Sequence, residues 1–293
     1  DHYTEHLQTS TPPINHQVKN QIRLQDKGHY APANIFFAGH WFVGVDRLYH
    51  FEGLLLKFAL TEHVTPALLP VVRLESTADT ADCLANCTKT KITQVGSIQS
   101  EPLVVYLSLR SPYSYLGFVQ AIDLAKRHHL ELIIKPVLPL LMRGASIPVI
   151  KQKYIYLDSV REAKKLNIEF TGFVDPLGDG VINAYRFFAW AELQGKATEY
   201  MLACFRAIYV DGIELADAKS VDKIMKKLTL NVDDARAFQQ DHDWQQWADV
   251  NQVALNKLNL WGVPCFTYGK SSYWGQDRIP LLEKEIKSTL SNG

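Results

Sequence analysis

The stretch LSLRSPYSYLG, Leu107 to Gly117, holds the residues whose types and spacing could do chemistry. An apolar, β-branched run from Leu103 to Leu109 stops at Arg110, Ser111-Pro112 follows, and apolar residues then recur at helical spacing. Serine is a preferred helix N-cap, and proline suits the first helical position because its missing N–H would have had no partner there. That reading is complete on structural grounds. The same place also offers free N–H donors and the positive end of a helix dipole, an environment that lowers a thiol pKa and stabilises a thiolate. Ser111, Pro112, Tyr113 and Ser114 include no cysteine, so this position cannot cycle a disulfide. A serine hydroxyl there can instead donate a hydrogen bond to a thiolate carried by another molecule.

A second group lies far downstream. In LWGVPCF, Leu260 to Phe266, Gly262-Val263-Pro264 precedes a strand-like run. Proline at a strand start marks a special turn, a cis bond among the options. Val263, before it, can offer backbone N–H and C=O to an extended peptide as an added strand would. WGQDR, Trp274 to Arg278, puts Gln276 and Asp277 at a helix start, where Asp277 taken alone reads as an N-cap.

The elements that must position these residues follow from periodicity. Leu103 to Leu109, Tyr113 to His128 and Glu131 to Val137 read as strand, helix and strand, a βαβ unit with parallel strands and a right-handed crossover. From Lys151 to about Leu258 the pattern is almost wholly helical. Strand signals return at Cys265 to Tyr268 and Ser272 to Trp274, joined by Gly269-Lys270, and a last helix runs from about Arg278 to Leu290. The fold class is therefore α/β: a thioredoxin-like sheet with an all-helical subdomain inserted at about 140–258. Such a sheet sets the turn at Pro264 against the N-terminus of the helix that begins at Ser111. Upstream, 75–101 is rich in Ser, Thr, Ala and Asp without aromatics and reads as a linker or surface loop, leaving 102–293 as the body.

The segment 1–74 contains a partial copy of the body's end. NIFFAGHWFVGVDRLYHFEGLL, from Asn34, aligns with PCFTYGKSSYWGQDRIPLLEKEI, from Pro264, if one gap is allowed. Gly39 then pairs with Gly269, Phe42 with Tyr273, Gly44 with Gly275, Asp46 with Asp277, Arg47 with Arg278 and Glu52 with Glu283. This reads as the closing ββα half of a first thioredoxin-like repeat. Two strands alone are marginal in water, so the expectation is an opening half upstream of Asp1 or packing on the body or a partner chain.

Composition narrows the function. The 293 residues carry 31 basic and 31 acidic side chains, which gives no electrostatic case for nucleic acid or an anionic membrane. No apolar run approaches the roughly 20 residues that cross a bilayer. The opening DHYTEHLQTSTPP has neither an initiator Met nor a signal-peptide pattern, so a processed, trimmed or partial chain is expected. Cys83, Cys87, Cys204 and Cys265 form no disulfide framework in a chain of this length, and no metal site can be completed with them. Reduced cysteines in a cytoplasmic protein are the expectation.

Taken together, SPYSYLG (Ser111 to Gly117), KPVLPLLMRG (Lys135 to Gly144), KQKYIYLDSVREAKKLNI (Lys151 to Ile168), GVP (Gly262 to Pro264) and WGQDR resemble one family in the right order. It is that of the 2-hydroxychromene-2-carboxylate isomerases and kappa-class glutathione transferases, relatives of DsbA-like oxidoreductases. In thioredoxin-like oxidoreductases a CxxC stands where Ser111 to Ser114 stand here. The resemblance implies glutathione as cofactor, with Ser111 hydrogen-bonding its sulfur as the catalytic residue. It further implies that Val263, before a cis-Pro264, pairs with the cysteinyl backbone. Gln276 and Asp277 would hold the γ-glutamyl end, and Lys151 the glycyl carboxylate. Ser146 stands where the family often has Asn, and Cys265 where Thr or Ser is common. The implied activity is glutathione-dependent isomerisation or transfer on a small aromatic electrophile, with a homodimer as one of the assemblies open to it. The other reading is a non-catalytic scaffold that binds a peptide or protein partner.

Overall fold

The computed structural model describes residues 34–58 and 101–291, with Val18, Lys19 and Ile22. These residues form two compact units: 34–58 with 147–157, and 101–146 with 158–291. The proposed linker and most of the region upstream of Asn34 lie outside the described residues.

In the first unit, β1 (Asn34–Phe37) and β2 (His40–Val43) pair antiparallel with Phe37 opposite His40 and Asn34 opposite Val43. Ala38 and Gly39 both have positive φ, 47° and 80°, the twist that suits a two-residue hairpin turn. A 3-10 turn over Val45–Arg47 leads into α1 (Leu48–Lys57). The rings of Phe37 and Phe42 pack on Phe51, with centroids 5.8 and 5.5 Å away, so aromatic contacts join the hairpin to the helix. The Val43 N–H donates to the Tyr154 hydroxyl at 3.3 Å.

In the second unit, β3 (Leu103–Leu107) and β4 (Leu132–Pro136) run parallel around α2 (Pro112–Arg127). The helices α3 (Val149–Leu166), whose first turns belong to the first unit, α4 (Asp179–Leu193), α5 (Ala197–Tyr209), α6 (Ala218–Lys227), α7 (Val232–Asp241) and α8 (Trp244–Lys257) follow. Then β5 (Cys265–Tyr268), β6 (Ser271–Trp274) and α9 (Ile279–Ser291) complete the unit. The sheet order is β4-β3-β5-β6, with β5 antiparallel to β3. This is a thioredoxin-like mixed sheet with a helical insertion between β4 and β5, as the periodicity predicts. The boundaries move by one or two residues, most clearly in β3, which ends at Leu107 because Ser108 turns the chain and its carbonyl accepts the Ser111 N–H at 2.9 Å.

The core explains why these segments hold together. Leu103, Val105 and Leu107 of β3 are buried against Leu116, Phe118 and Leu124 of α2. Tyr115 stacks on Tyr209 of α5 at 5.4 Å, and its hydroxyl donates to the Glu169 carbonyl oxygen. The aromatic run of α4 also serves the core, since Tyr185 and Phe188 are buried against Trp247 of α8.

Candidate active site at the start of the second helix

Ser111 caps α2 as its residue type predicts: its Oγ accepts the Ser114 N–H at 3.1 Å. The hydroxyl also points at the downstream loop, donating to the Val263 carbonyl oxygen at 3.5 Å, at the long limit of a hydrogen bond. The Val263–Pro264 peptide bond is cis. Thus the two motifs, more than a hundred residues apart in sequence, meet at the C-terminal end of β3. Ser114 is buried and structural, its Oγ accepting the Ser108 N–H at 3.2 Å. Tyr113 ties the first turn of α2 to α3 by donating to Asp158 at 2.7 Å.

The approach is close because residue 117 is glycine. A Cβ there would stand 3.1 Å from Pro264 Cγ, 3.3 Å from Gln276 Cβ and 2.9 Å from Phe266 Cζ. The Pro264 carbonyl oxygen accepts the Gly275 N–H at 2.9 Å, which brings the WGQDR segment alongside. Gly275, at φ 110°, occupies a backbone region that side-chain-bearing residues avoid.

Gln276 and Asp277 then divide. The Gln276 side chain is 3% exposed, donates to Glu162 at 2.8 Å and accepts from Gln120 at 3.1 Å. Its amide is committed within the fold, holding the loop between α2 and α3. Asp277 is not an N-cap: Gly275 takes the cap position of the 3-10 turn Gln276–Arg278, and Asp277 lies inside that turn, its side chain 24% exposed. Its Oδ1 lies over the Gly275 backbone, where a Cβ would be 2.5 Å away. Lys151 belongs to the first unit, in the first turn of α3, its N–H donating to the Pro148 carbonyl. Ser146 is exposed.

The two described cysteines are buried. Burial pushes the Cys265 thiol up to about 12, and it donates to the Gly262 carbonyl at 3.0 Å. Burial likewise lifts Cys204 to about 12, against a hydrogen bond with Tyr200 that pulls the other way. Both therefore stay protonated near neutrality. Cys83 and Cys87 lie outside the described residues, and no group of three metal-ligating side chains occurs among the described ones. No described helix is long and apolar enough to cross a membrane.

Sequence reasoning missed Gly117, Gln120 and Glu162. Gly117 and Glu162 both lie in the quoted motifs without an assigned role, Glu162 on the helix face that also buries Ser159 and Ala163.

The site thus brings a helix N-terminus, a serine hydroxyl and a cis-proline backbone to face one another. No curated protein matches the chain. Among solved structures, a 2-hydroxychromene-2-carboxylate isomerase is similar at TM-score 0.56 and 20% identity, over 65% of this chain and 96% of that one. A probable DsbA oxidoreductase from Streptomyces coelicolor is similar at TM-score 0.51 and 13% identity, over 66% of this chain and 91% of the other. At such identities the likeness is one of fold. Residues 102–287 match the family described as DSBA-like thioredoxin domain, and the chain belongs to that family.

Proposed function

We propose that the body binds glutathione beside Ser111 and uses its thiolate on a small aromatic electrophile, as an isomerase or transferase. The observation that carries this reading is the Ser111 hydroxyl at the N-terminus of α2, directed at the carbonyl before a cis-proline, with serine and not cysteine at positions 111 and 114. A thiol placed there is favoured as thiolate by the helix dipole and by the hydroxyl's hydrogen bond. The Val263 backbone pairs with the cysteinyl unit and Asp277 with the γ-glutamyl ammonium. Gln276 acts by fixing the loop that presents Asp277.

In the reaction the sulfur bonds to an electron-poor carbon, and the displaced π pair moves onto the substrate. Expulsion of glutathione reforms the π bond and completes an isomerisation. Protonation of the adduct completes a transfer. A compartment that keeps glutathione reduced, such as the cytoplasm, and a homodimer fit this reading.

Calorimetric titration of the full chain with glutathione tests it. Asp277→Ala should weaken binding, and Ser111→Ala should raise the bound thiol pKa. The Ser111 change should also slow turnover roughly 10²–10³-fold, as loss of one preorganised donor does elsewhere. Absence of binding at millimolar glutathione would sink the reading.

The segment 34–57 we infer to be the closing half of another thioredoxin-like repeat. Its element order and its glycine with positive φ before a 3-10 turn match those of 265–291, and the two hairpins lie in separate sheets. A structure of a longer natural chain in which β1 pairs with an upstream βαβ unit would bear this out. One in which β1 joins the β4-β3-β5-β6 sheet would end it.

A further inference from the structure

Glu162 is buried within the second unit, on the inward face of α3. Its Oε2 accepts the Gln276 amide nitrogen at 2.8 Å, and the Gln276 oxygen accepts from the Gln120 amide at 3.1 Å. Gln120 donates as well to the Leu116 carbonyl oxygen, one turn back along α2. A carboxylate only accepts, so the Gln276 nitrogen must face Glu162 and its oxygen must face Gln120. The Gln276 amide is thus fixed in one orientation, and α2, α3 and the turn after β6 are joined out of water. Hydrogen bonds to a charged group are strong in such a place, and a member left unpaired is costly.

The turn itself does not demand this burial. In the matching turn of the first unit, Val45 stands in the place of Gln276 and is 65% exposed. What draws Gln276 inward is its pair of partners, and the next residue along the backbone is Asp277. A Cβ on Gly117 would meet both Gln276 Cβ and Pro264 Cγ, so the anchored side chain lies against the cis-proline loop. The Gly275 and Arg278 N–H groups close the turn on the Pro264 and Gly275 carbonyl oxygens. Buried at Gln276 and partly open at Asp277, the turn presents a carboxylate from a fixed base.

We propose that Glu162 is a positioning residue: through Gln276 it fixes the turn that carries Asp277, and so sets a preference for glutathione over thiols without a γ-glutamyl unit. This rests on the glutathione-dependent reading for the identity of the ligand. Glu162 and Gln276 are buried and reach no ligand themselves, so the effect passes through the backbone of the turn.

The full chain is titrated by calorimetry with glutathione and with cysteinylglycine, which lacks the γ-glutamyl unit. The wild type should prefer glutathione. Glu162→Leu should weaken glutathione about 10-fold, the low end for a lost hydrogen bond to a charged group, and leave cysteinylglycine unchanged. Glu162→Gln keeps an acceptor oxygen and should keep most of the preference. Gln276→Glu sets two carboxylates face to face and should lose it. Adding Glu162→Gln to that variant returns a donor opposite a carboxylate and should restore the preference without opening a cavity. If Glu162→Leu does not fold, this exchange decides, and no restoration would overturn the assignment. Equal weakening of both thiols, a wild type without preference, or an unchanged preference in Glu162→Leu would each overturn it too. Should the wild type bind neither thiol, the reading of function falls, and amide exchange still decides the positioning. Glu162→Leu should speed exchange at Gly275 and Arg278 more than within β5, and equal exchange would end the proposal.

Discussion

In 34–57 and again in 265–291 the chain runs strand, two-residue turn, strand, glycine with positive φ, 3-10 turn and helix. Phe37 opposite His40 corresponds to Tyr268 opposite Ser271, and Asn34 opposite Val43 to Cys265 opposite Trp274. The gap in the sequence alignment is therefore unnecessary, and Ala38, not Gly39, takes the place of Gly269. The packing differs. In the later copy β5 has β3 on its other side, and α9 buries Ile279, Leu282, Glu283 and Ile286. In the earlier copy α1 buries no residue, and the hairpin relies on three phenylalanines. Turns and glycines are local instructions that each copy obeys alone, whereas a core needs partners from elsewhere in the chain.

The largest effect should come from matched core truncations. Leu282 is fully buried, and Leu282→Ala should cost about 2–5 kcal/mol, measured by denaturant unfolding. Phe51→Ala, at the matching place, should leave the main unfolding transition of the body where it is. A shift as large as that of Leu282→Ala would break the contrast between the copies.

The later copy also carries a charge cluster. Burial raises the pKa of the Glu283 carboxyl, but hydrogen bonds from Arg127, Lys287 and His128 overcome it and hold it at about 2, against an ordinary 4.5. A carboxyl held below its unfolded value stabilises the fold above that value and loses the contribution as pH falls through 4.5 toward 2. Up to about 3 kcal/mol should disappear over that window, and Glu283→Gln should flatten the acid limb of the stability curve. Glu52, in the matching position, meets no such cluster of cations among the described residues. An acid limb unchanged by Glu283→Gln would remove this difference.

Much of this was legible beforehand, for reasons that differ by region. The order βαβ, helices, ββα follows from periodicity, which is local. Ser111-Pro112 announces a helix start, and GVP a special turn, because proline and N-cap chemistry act within a few residues. Asp277 was misplaced because a cap and a 3-10 turn look alike in sequence, the cap being Gly275. Gln276 could not be separated from Asp277, since burial of its amide depends on Gln120 and Glu162, distant partners that no spacing rule connects.

The glycines before the two 3-10 turns sharpen the comparison at smaller cost. Gly44 and Gly275 have φ 72° and 110°, so an alanine at either should cost about 1–3 kcal/mol in backbone strain. At Gly44 a Cβ meets nothing within 4 Å, whereas at Gly275 it collides with the Asp277 carboxylate. Gly275→Ala alone should therefore weaken glutathione binding, and equal losses from both substitutions would show that the collision is immaterial.

The smallest effect concerns the hairpin turns. Gly269 takes φ 55° without a Cβ, while Ala38 takes φ 47° with one. Left-handed backbone costs alanine roughly 1 kcal/mol, and asparagine before glycine is a favoured pair in a turn with two positive φ values. Ala38→Asn should thus stabilise the early hairpin by up to about 1 kcal/mol, seen as slower amide exchange at Phe37 and His40 with the body unchanged. Faster exchange there would mean that the turn geometry is imposed by packing on α1, and the local plan shared by the two copies would then not be self-sufficient in the first.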